Sequence, residues 1–450
     1  MAKDFSKGKI STNIISQSIP LMLAQLVHLL YNIVDRIYIG HLPEVGSMAL
    51  TGIGLIFPIT TLVAAFTNLF SFGGTPLFAI ARGAGEEDRA DEIVSQVAFL
   101  LIGMSLVLTG TCYVFRKPIL YLFGAGDESY VYADAYLRIY LLGTVFAMFA
   151  TGMNGFINAQ GFPKIGMYTV SIGAVLNLIL DPIFIFGLNM GVQGAALATV
   201  VSQVVSAGWV ILFFIRRSSY KIHRVPVNLP LYREILGLGL AGFIQQATNS
   251  LVQIVYNITL KGYGGDLYVG IMTVINSVRE VLSLPVESIA SASQPVMGFN
   301  FGARKYDRVR QGIRFTTLLI GAYTLVVWGM IMVIPKYLIA IFTPDPELIR
   351  VGTGAMRIYF FGFIFMTFQS AGQAAFTSLG CAKRAIFFSL FRKAMIVAPL
   401  TVILPMIGLG VNGALMAEPI SNLIGGAASF TTMYITLYRR LPKQDGVPMA

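Results

Sequence analysis

Predominantly apolar stretches of about 20 residues recur along the chain and restrict its fold more than any other feature. Residues 94–115 and 313–334 are two of them. A helix rises 1.5 Å per residue, so about 20 residues cross the roughly 30 Å of hydrocarbon in a bilayer. The composition agrees, because 56% of the residues are hydrophobic and 12% are charged, against about 25% charged in soluble domains. A soluble globular fold is therefore excluded.

Apolar runs between Gly, Pro and charged residues predict about twelve transmembrane helices. They lie near residues 14–39, 50–80, 93–115, 131–160, 165–187, 191–215, 235–260, 267–301, 313–334, 349–379, 385–407 and 411–438. Helices satisfy their own backbone polar groups inside a membrane, and no strand pattern competes with them. The predicted fold class is an all-α membrane protein.

The chain also contains an internal repeat, because residues 219 positions apart match over a long stretch without gaps. Arg138, Ile139 and Tyr140, for example, return as Arg357, Ile358 and Tyr359. Six helices per half is an even number, so both halves insert with the same orientation and form two parallel six-helix repeats, an architecture typical of transporters. We predict an N-lobe over 1–215, a cytoplasmic linker over 216–234, a C-lobe over 235–440 and a cytoplasmic tail over 441–450.

The formal net charge of +11 is distributed between the loops rather than gathered in one patch. Most basic residues fall on the side that holds both termini, and we assign those between 383 and 393 to this side as well. The positive-inside rule then predicts a multi-pass protein of the plasma membrane with both termini in the cytoplasm. The partner of this surface is the lipid bilayer, and no nucleic-acid partner is predicted.

Acidic residues inside membrane spans are costly, so each is a candidate functional residue. Asp35 and Asp181 share a depth of roughly 7–9 Å from the same side. Asn177 lies one turn deeper than Asp181 on the same helix face, and Thr199 of the next helix is about 12 Å deep. Such a set of oxygens suits either a hard cation or a shared proton. The alternative is a local role, with Asp35 pairing with Arg36 and Asp181 acting as a cap ahead of Pro182.

The second half holds three further acids within its predicted spans. Glu280 and Glu287 lie two turns apart, and either can serve a second cation or bind a cationic drug. For Glu280 the alternative is an ion pair with the adjacent Arg279 that stabilises the helices. Glu418, in the last helix, has no partner that the sequence identifies.

The sequence predicts no cofactor. Its two cysteines form neither a disulfide framework nor a four-ligand metal site. The ATP-binding pattern GxxxxGK[ST] is absent, and Gly237, Gly239 and Gly242 match GxGxxG without the preceding strand that a dinucleotide site requires. No nucleophile, base or metal-ligand set converges in one helical layer, so the chain is not predicted to be an enzyme.

Three segments of the chain resemble the multidrug and toxic compound extrusion (MATE) family of bacterial efflux transporters, within the MOP-flippase superfamily. They are LYNIVDRIYIG at 30–40, LNLILDPIFIFGLNMGVQGAALAT at 176–199 and QPVMGFNFGARKYDRV at 294–309. The resemblance covers essentially the whole chain and implies a cation site in the N-lobe. Its residues are Asp35, Asn177, Asp181 and Thr199, which would be metal ligands if the coupling ion is sodium.

The resemblance implies roles for two further residues. Pro20 matches a proline at which the first helix is proposed to bend, and a proline lowers the cost of a kink. Asn154 matches a substrate-contact position, and Asn158 lies one turn further along the same helix. For both asparagines, helix packing through interhelical hydrogen bonds is the alternative. Relatives are usually taken to work as monomers.

Together these features predict an antiporter that exports hydrophobic or cationic, drug-like small molecules by alternating access, driven by protons or sodium ions. One alternative is a flippase for lipid-linked sugars in the same superfamily, against which the buried acids of the N-lobe argue. An intramembrane enzyme is the alternative from another class.

Overall fold

The computed structural model describes residues 4–40, 42, 46–342 and 345–447. These residues contain helices and no strands, which confirms the predicted all-α fold. The long helices of the first half are α1 Ile10–Gly40, α2 Gly46–Ala84, α3 Glu87–Val114, α4 Asp127–Ala159, α5 Pro163–Gly187 and α6 Gly191–Arg216. Those that follow are α7 Leu229–Gly265, α8 Leu267–Gly302, α9 Tyr306–Val333, α10 Pro346–Ser378, α11 382–409 and α12 410–438. Short helices Arg116–Leu122 and Pro335–Ala340 precede α4 and α10.

The last two helices form one apolar segment, Ala382–Tyr438, of 57 residues. As a single straight helix it would be about 85 Å long, far more than one crossing of a bilayer requires. Gly408 and Gly410 interrupt it with φ angles of 98° and 52°, which residues with a Cβ rarely adopt. The segment therefore provides two spans, and the described residues contain the twelve that the sequence predicts.

The chain divides into two compact units. The first is built mainly from Ile19–Ala81 and Glu86–Gly239, and the second from Phe5–Ser18, Arg82–Gly85 and Leu240–Ala450. The first third of α1 thus belongs to the second unit. The predicted lobe boundaries stay a prediction, and residues 448–450 of the predicted tail lie outside the described residues.

Within the second unit, the segment before α1 is held by side chains near the end of α8 and the start of α9. Arg308 donates hydrogen bonds of 2.8 Å to the carbonyl oxygens of Phe5 and Gly8. Asn300 donates to the carbonyl oxygen of Phe5 at 3.0 Å and accepts from Arg308 at 2.8 Å. Phe5 itself is fully buried. These contacts fix the position from which α1 starts.

Within the first unit, Gly239 allows the start of α7 to pack directly against α2. A Cβ at this position would lie 1.7 Å from the carbonyl oxygen of Leu69. Small residues permit such close helix contacts in membranes. This close contact, rather than a nucleotide site, accounts for a glycine at this position of the GxGxxG pattern.

Replacing Gly239 with alanine is expected to destabilise the protein, because the α2 and α7 backbones must separate to admit the methyl group. Overpacking of this kind costs about 1–3 kcal/mol, occasionally more. Thermal unfolding of the purified protein in detergent measures the effect. Gly208→Ala is the matched control, since a Cβ there meets nothing within 4 Å. Equal unfolding temperatures for the two variants would contradict the proposed close contact.

Candidate functional site

Two acidic side chains from different helices of the first unit meet in its interior. Asp181 of α5 is fully buried, and Asp35 of α1 is partly buried. Their carboxyl groups lie within hydrogen-bonding range of each other. Asp181 is followed by Pro182 and then by a π-helical turn, Ile183–Gly187, at the end of α5. Such turns are frequent at functional sites.

Asn177 and Thr199 complete the set that the sequence predicts. The Asn177 side-chain amide donates to Asp181 Oδ1 at 3.2 Å and to Thr199 Oγ1 at 3.4 Å. Thr199 donates in turn to the carbonyl oxygen of Ala195, one turn earlier in α6, at 3.0 Å. All four residues are therefore brought together by α1, α5 and α6, although Asp35 lies more than 140 positions before the other three.

The acid pair has an unbalanced set of hydrogen-bonding groups. Asp181 Oδ2 and Asn177 Oδ1 are buried, and among the described residues no protein group donates a hydrogen bond to either. Carboxylates can only accept hydrogen bonds, so two of them at this range need a proton or a metal cation between them. The four side chains thus offer the all-oxygen surroundings that a proton or a hard cation requires.

The structure bears on the local alternative for Asp181 but not on the one for Asp35. Asp181 directs its carboxyl toward Asn177 and Asp35, side chains of the predicted site. The side chain of Arg36, the proposed partner of Asp35, lies outside the described residues. The coupling role of the four residues stays a prediction that this geometry supports.

Three tyrosines form a cluster that reaches the acids, and sequence reasoning missed them. The hydroxyl of Tyr136 lies within hydrogen-bonding range of Thr199, and this tyrosine also interacts electrostatically with Asp35. Tyr140 stacks on Tyr136 with ring centroids 6.0 Å apart. Tyr31 of α1 interacts with both acids. A usable signal was present, since Tyr140 belongs to the Arg-Ile-Tyr repeat and Tyr136 lies one turn before it.

Pro20 is buried within α1, which remains helical through it. It lies two residues after Ser18, where α1 passes from the second compact unit to the first. The hinge role stays a prediction.

The two asparagines of α4 point toward α5. A Cβ at Gly166 would lie 2.1 Å from Asn158 Oδ1 and 3.0 Å from Asn154 Oδ1, so this glycine makes room for both amides. That position between two helices fits the packing alternative. Contact with substrate stays a prediction for both.

In the second unit, Glu280 and Glu287 of α8 are exposed. In the part of the chain that the structure describes, Arg279 forms no ion pair with Glu280. It interacts instead with Glu418, Tyr359 and Glu287. The drug-binding role of Glu280 and Glu287 stays a prediction.

Glu418 has two partners that the sequence did not identify. Arg392 Nη1 lies 3.0 Å from Glu418 Oε1, and Lys393 Nζ lies 3.1 and 3.2 Å from its two oxygens. Arg392 and Lys393 are buried about 15 Å along α11 from its first residue. Their assignment to the cytoplasmic side was therefore wrong. A basic pair in the middle of an apolar span was the signal that could have revealed them.

Most of the chain matches a known protein family. The family model described as MatE matches residues 20–183 and 242–403. The "Multidrug export protein MepA" of Staphylococcus aureus (strain NCTC 8325 / PS 47) is 23% identical over 434 residues, which cover 96% of this chain and 95% of that protein. The protein of the same name from Staphylococcus haemolyticus (strain JCSC1435) is 25% identical over 380 residues, with coverage of 82% and 83%.

A solved structure described as "Crystal structure of MATE in the bent conformation" has the same fold. Its TM-score is 0.90 at 23% identity, and the alignment covers 96% of each chain.

Proposed function

The chain belongs to the MatE family of efflux transporters, and we propose that it exports hydrophobic or cationic, drug-like small molecules in exchange for protons or sodium ions. The observation that carries the ion coupling is the meeting of the Asp35 and Asp181 carboxyl groups. A pair that holds a proton or cation in one state must release it in another for transport to be coupled. The names of the Staphylococcus relatives support drugs as the class of transported molecule.

Coupling follows from competition for negative charge in the first unit. With a proton or sodium ion bound between Asp35 and Asp181, beside Asn177 and Thr199, the site carries less net negative charge. It then attracts a cationic drug less strongly. When the ion leaves, the carboxylates attract the drug again. Binding of each ligand therefore weakens binding of the other by the same factor, as thermodynamic linkage requires. Alternating access then converts an inward ion gradient into outward drug movement.

The buried cations of the second unit are a feature that favours the flippase alternative. A flippase for lipid-linked sugars needs a cationic cavity wide enough for an anionic headgroup. The cavity beside Arg279 and Lys393 has a volume of only about 10 Å³, room for a single water-sized group. Multidrug export therefore remains the better supported function.

Dye transport under separate ion gradients tests the proposal. Everted membrane vesicles containing the protein should move ethidium when a proton gradient or a sodium gradient is imposed, and the effective gradient identifies the coupling ion. We expect one gradient to drive transport well above the rate of vesicles without the protein. Transport of no dye under either gradient would reject the proposal and favour the flippase.

The proposal includes the setting of the chain. The described residues hold eleven apolar helices long enough to cross a membrane, the last of which is divided into two at Gly408 and Gly410, so the chain is a multi-pass membrane protein. We place it in a bacterial plasma membrane with both termini in the cytoplasm, where the distribution of basic residues puts them, and expect a monomer without a bound cofactor.

A further inference from the structure

The second unit holds a group of buried charges in which cations outnumber acids. Arg392 and Lys393 lie in a π-helical segment of α11, Phe391–Val397, with 9% and 3% of their surface exposed. The wider turn lets two adjacent residues face the same interior. Glu418 of α12 is 5% exposed and binds both cations. Arg392 also donates to Asn422 Oδ1 at 2.8 Å.

A third cation comes from α8. Arg279 interacts electrostatically with both Glu418 and Lys393. It lies about 18 Å from the first residue of α8, and Glu418 lies about 12 Å from the first residue of α12, so both are more than two turns inside their helices. One buried carboxylate therefore faces three cations. Glu287 interacts with Arg279 and with Glu280, but both glutamates are exposed, so cations remain in excess among the buried groups.

Two of the three cations face a small cavity. Arg279 and Lys393 line it together with polar groups from three helices, including Asn249, Asn276 and Tyr256. Among the described residues that line it, none is acidic. Two of the three Lys393 N–H bonds are directed to Glu418, which leaves one donor for a ligand. The walls thus offer positive charge and hydrogen-bond donors without a competing carboxylate.

Around these sites, the two halves of the internal repeat differ in the charges that they carry. The positions 219 residues beyond Asp35, Asn177 and Asp181 hold Ile254, Ile396 and Leu400. Conversely, Gly173, Ala174 and Thr199 correspond to Arg392, Lys393 and Glu418, while Tyr140 is kept as Tyr359. The first half carries its ionisable groups as acids, and the second half carries mainly cations.

We propose that this cavity binds one small anion, either a free halide or the carboxylate group of a small organic molecule. A surplus positive charge in a low-dielectric interior is costly unless an opposite charge accompanies it or a lysine loses its proton. The volume of about 10 Å³ admits one small group and excludes a phosphate-bearing lipid headgroup. The cavity shares no lining residue with the acid pair Asp35 and Asp181.

The test is equilibrium binding to the purified full-length protein in detergent. Radiolabelled chloride and, in a separate titration, radiolabelled acetate are added at constant ionic strength with sulfate, which carries no carboxylate, as the replacing anion. Unlabelled acetate is also added as a competitor of chloride. We expect saturable binding of about one chloride per chain. If acetate displaces chloride, the site also binds carboxylates. If acetate binds and chloride does not, the ligand is an organic carboxylate. Saturable binding of neither anion would overturn the proposal.

Substitutions locate the site. Arg279→Gln removes a cavity cation that has no direct bond to Glu418, and it should weaken anion binding at least about 10-fold. Lys336→Met is the matched control, because this lysine is exposed and its loss should leave binding unchanged. If Arg279→Gln fails to fold, Tyr256→Phe removes only a hydroxyl group from the wall and should also weaken binding. Unchanged affinity in the folded cavity variants would contradict the assignment.

Discussion

Asp181→Asn is expected to abolish gradient-driven efflux while the protein remains folded. Asparagine keeps the size of the side chain and a carbonyl oxygen for Asn177, but it cannot take up and release a proton and carries no charge for a sodium ion. Coupling free energies are typically about 1–3 kcal/mol, equivalent to 5–150-fold in affinity. The parent should therefore bind a cationic dye with an affinity that depends on the coupling ion by about this factor. In the variant this dependence should disappear.

Two measurements check this expectation: dye efflux from vesicles, and dye affinity of the purified protein with and without the coupling ion. Asp134→Asn is the control, because Asp134 is also a buried acid of the first unit. Its partners are two arginines, Arg116 and Arg138, with which it forms ion pairs, and not a second carboxyl group. Its variant should unfold at a lower temperature but keep ion-dependent affinity. Normal coupling in folded Asp181→Asn would make Asp181 structural and direct the search to Glu280 or Glu287.

Glu418→Gln is expected to destabilise the second unit more than any other single removal of an acid there. The substitution leaves Arg392, Lys393 and Arg279 in the interior without their shared carboxylate. Breaking a buried ion pair by removing one partner costs about 3–5 kcal/mol, because the remaining charge is uncompensated. Denaturant or thermal unfolding of the purified protein measures this loss.

The matched control for this experiment is Glu280→Gln, an exposed acid of the same unit, for which a change within about 0.5 kcal/mol is expected. Combining Glu418→Gln with Lys393→Met removes both charges of one pair and should recover part of the lost stability. This non-additivity is the mark of a direct interaction. A Glu418→Gln protein as stable as Glu280→Gln would contradict the structural role of the buried charges.

The sequence predicted one polar layer well and another poorly, for identifiable reasons. Asp35 and Asp181 stood alone as acids in apolar spans, so their equal depth could be calculated from helix rise. The depth of Arg392 and Lys393 could be calculated in the same way, but the pair was counted with the basic residues of a loop. Their inward orientation depends on the π-helical segment Phe391–Val397, which shifts the helix register and which no residue pattern announces.

The sequence by itself determined the all-α membrane fold, the twelve spans, the repeat and the family resemblance. These follow from properties that act locally along the chain, since each apolar segment must satisfy its own backbone in lipid. Only the tertiary structure decided which side chains meet: the tyrosines around the acid pair, the amides of Asn154 and Asn158 against Gly166, and the cations around Glu418. Such contacts depend on the rotation and register of each helix against its neighbours, which close packing between helices sets.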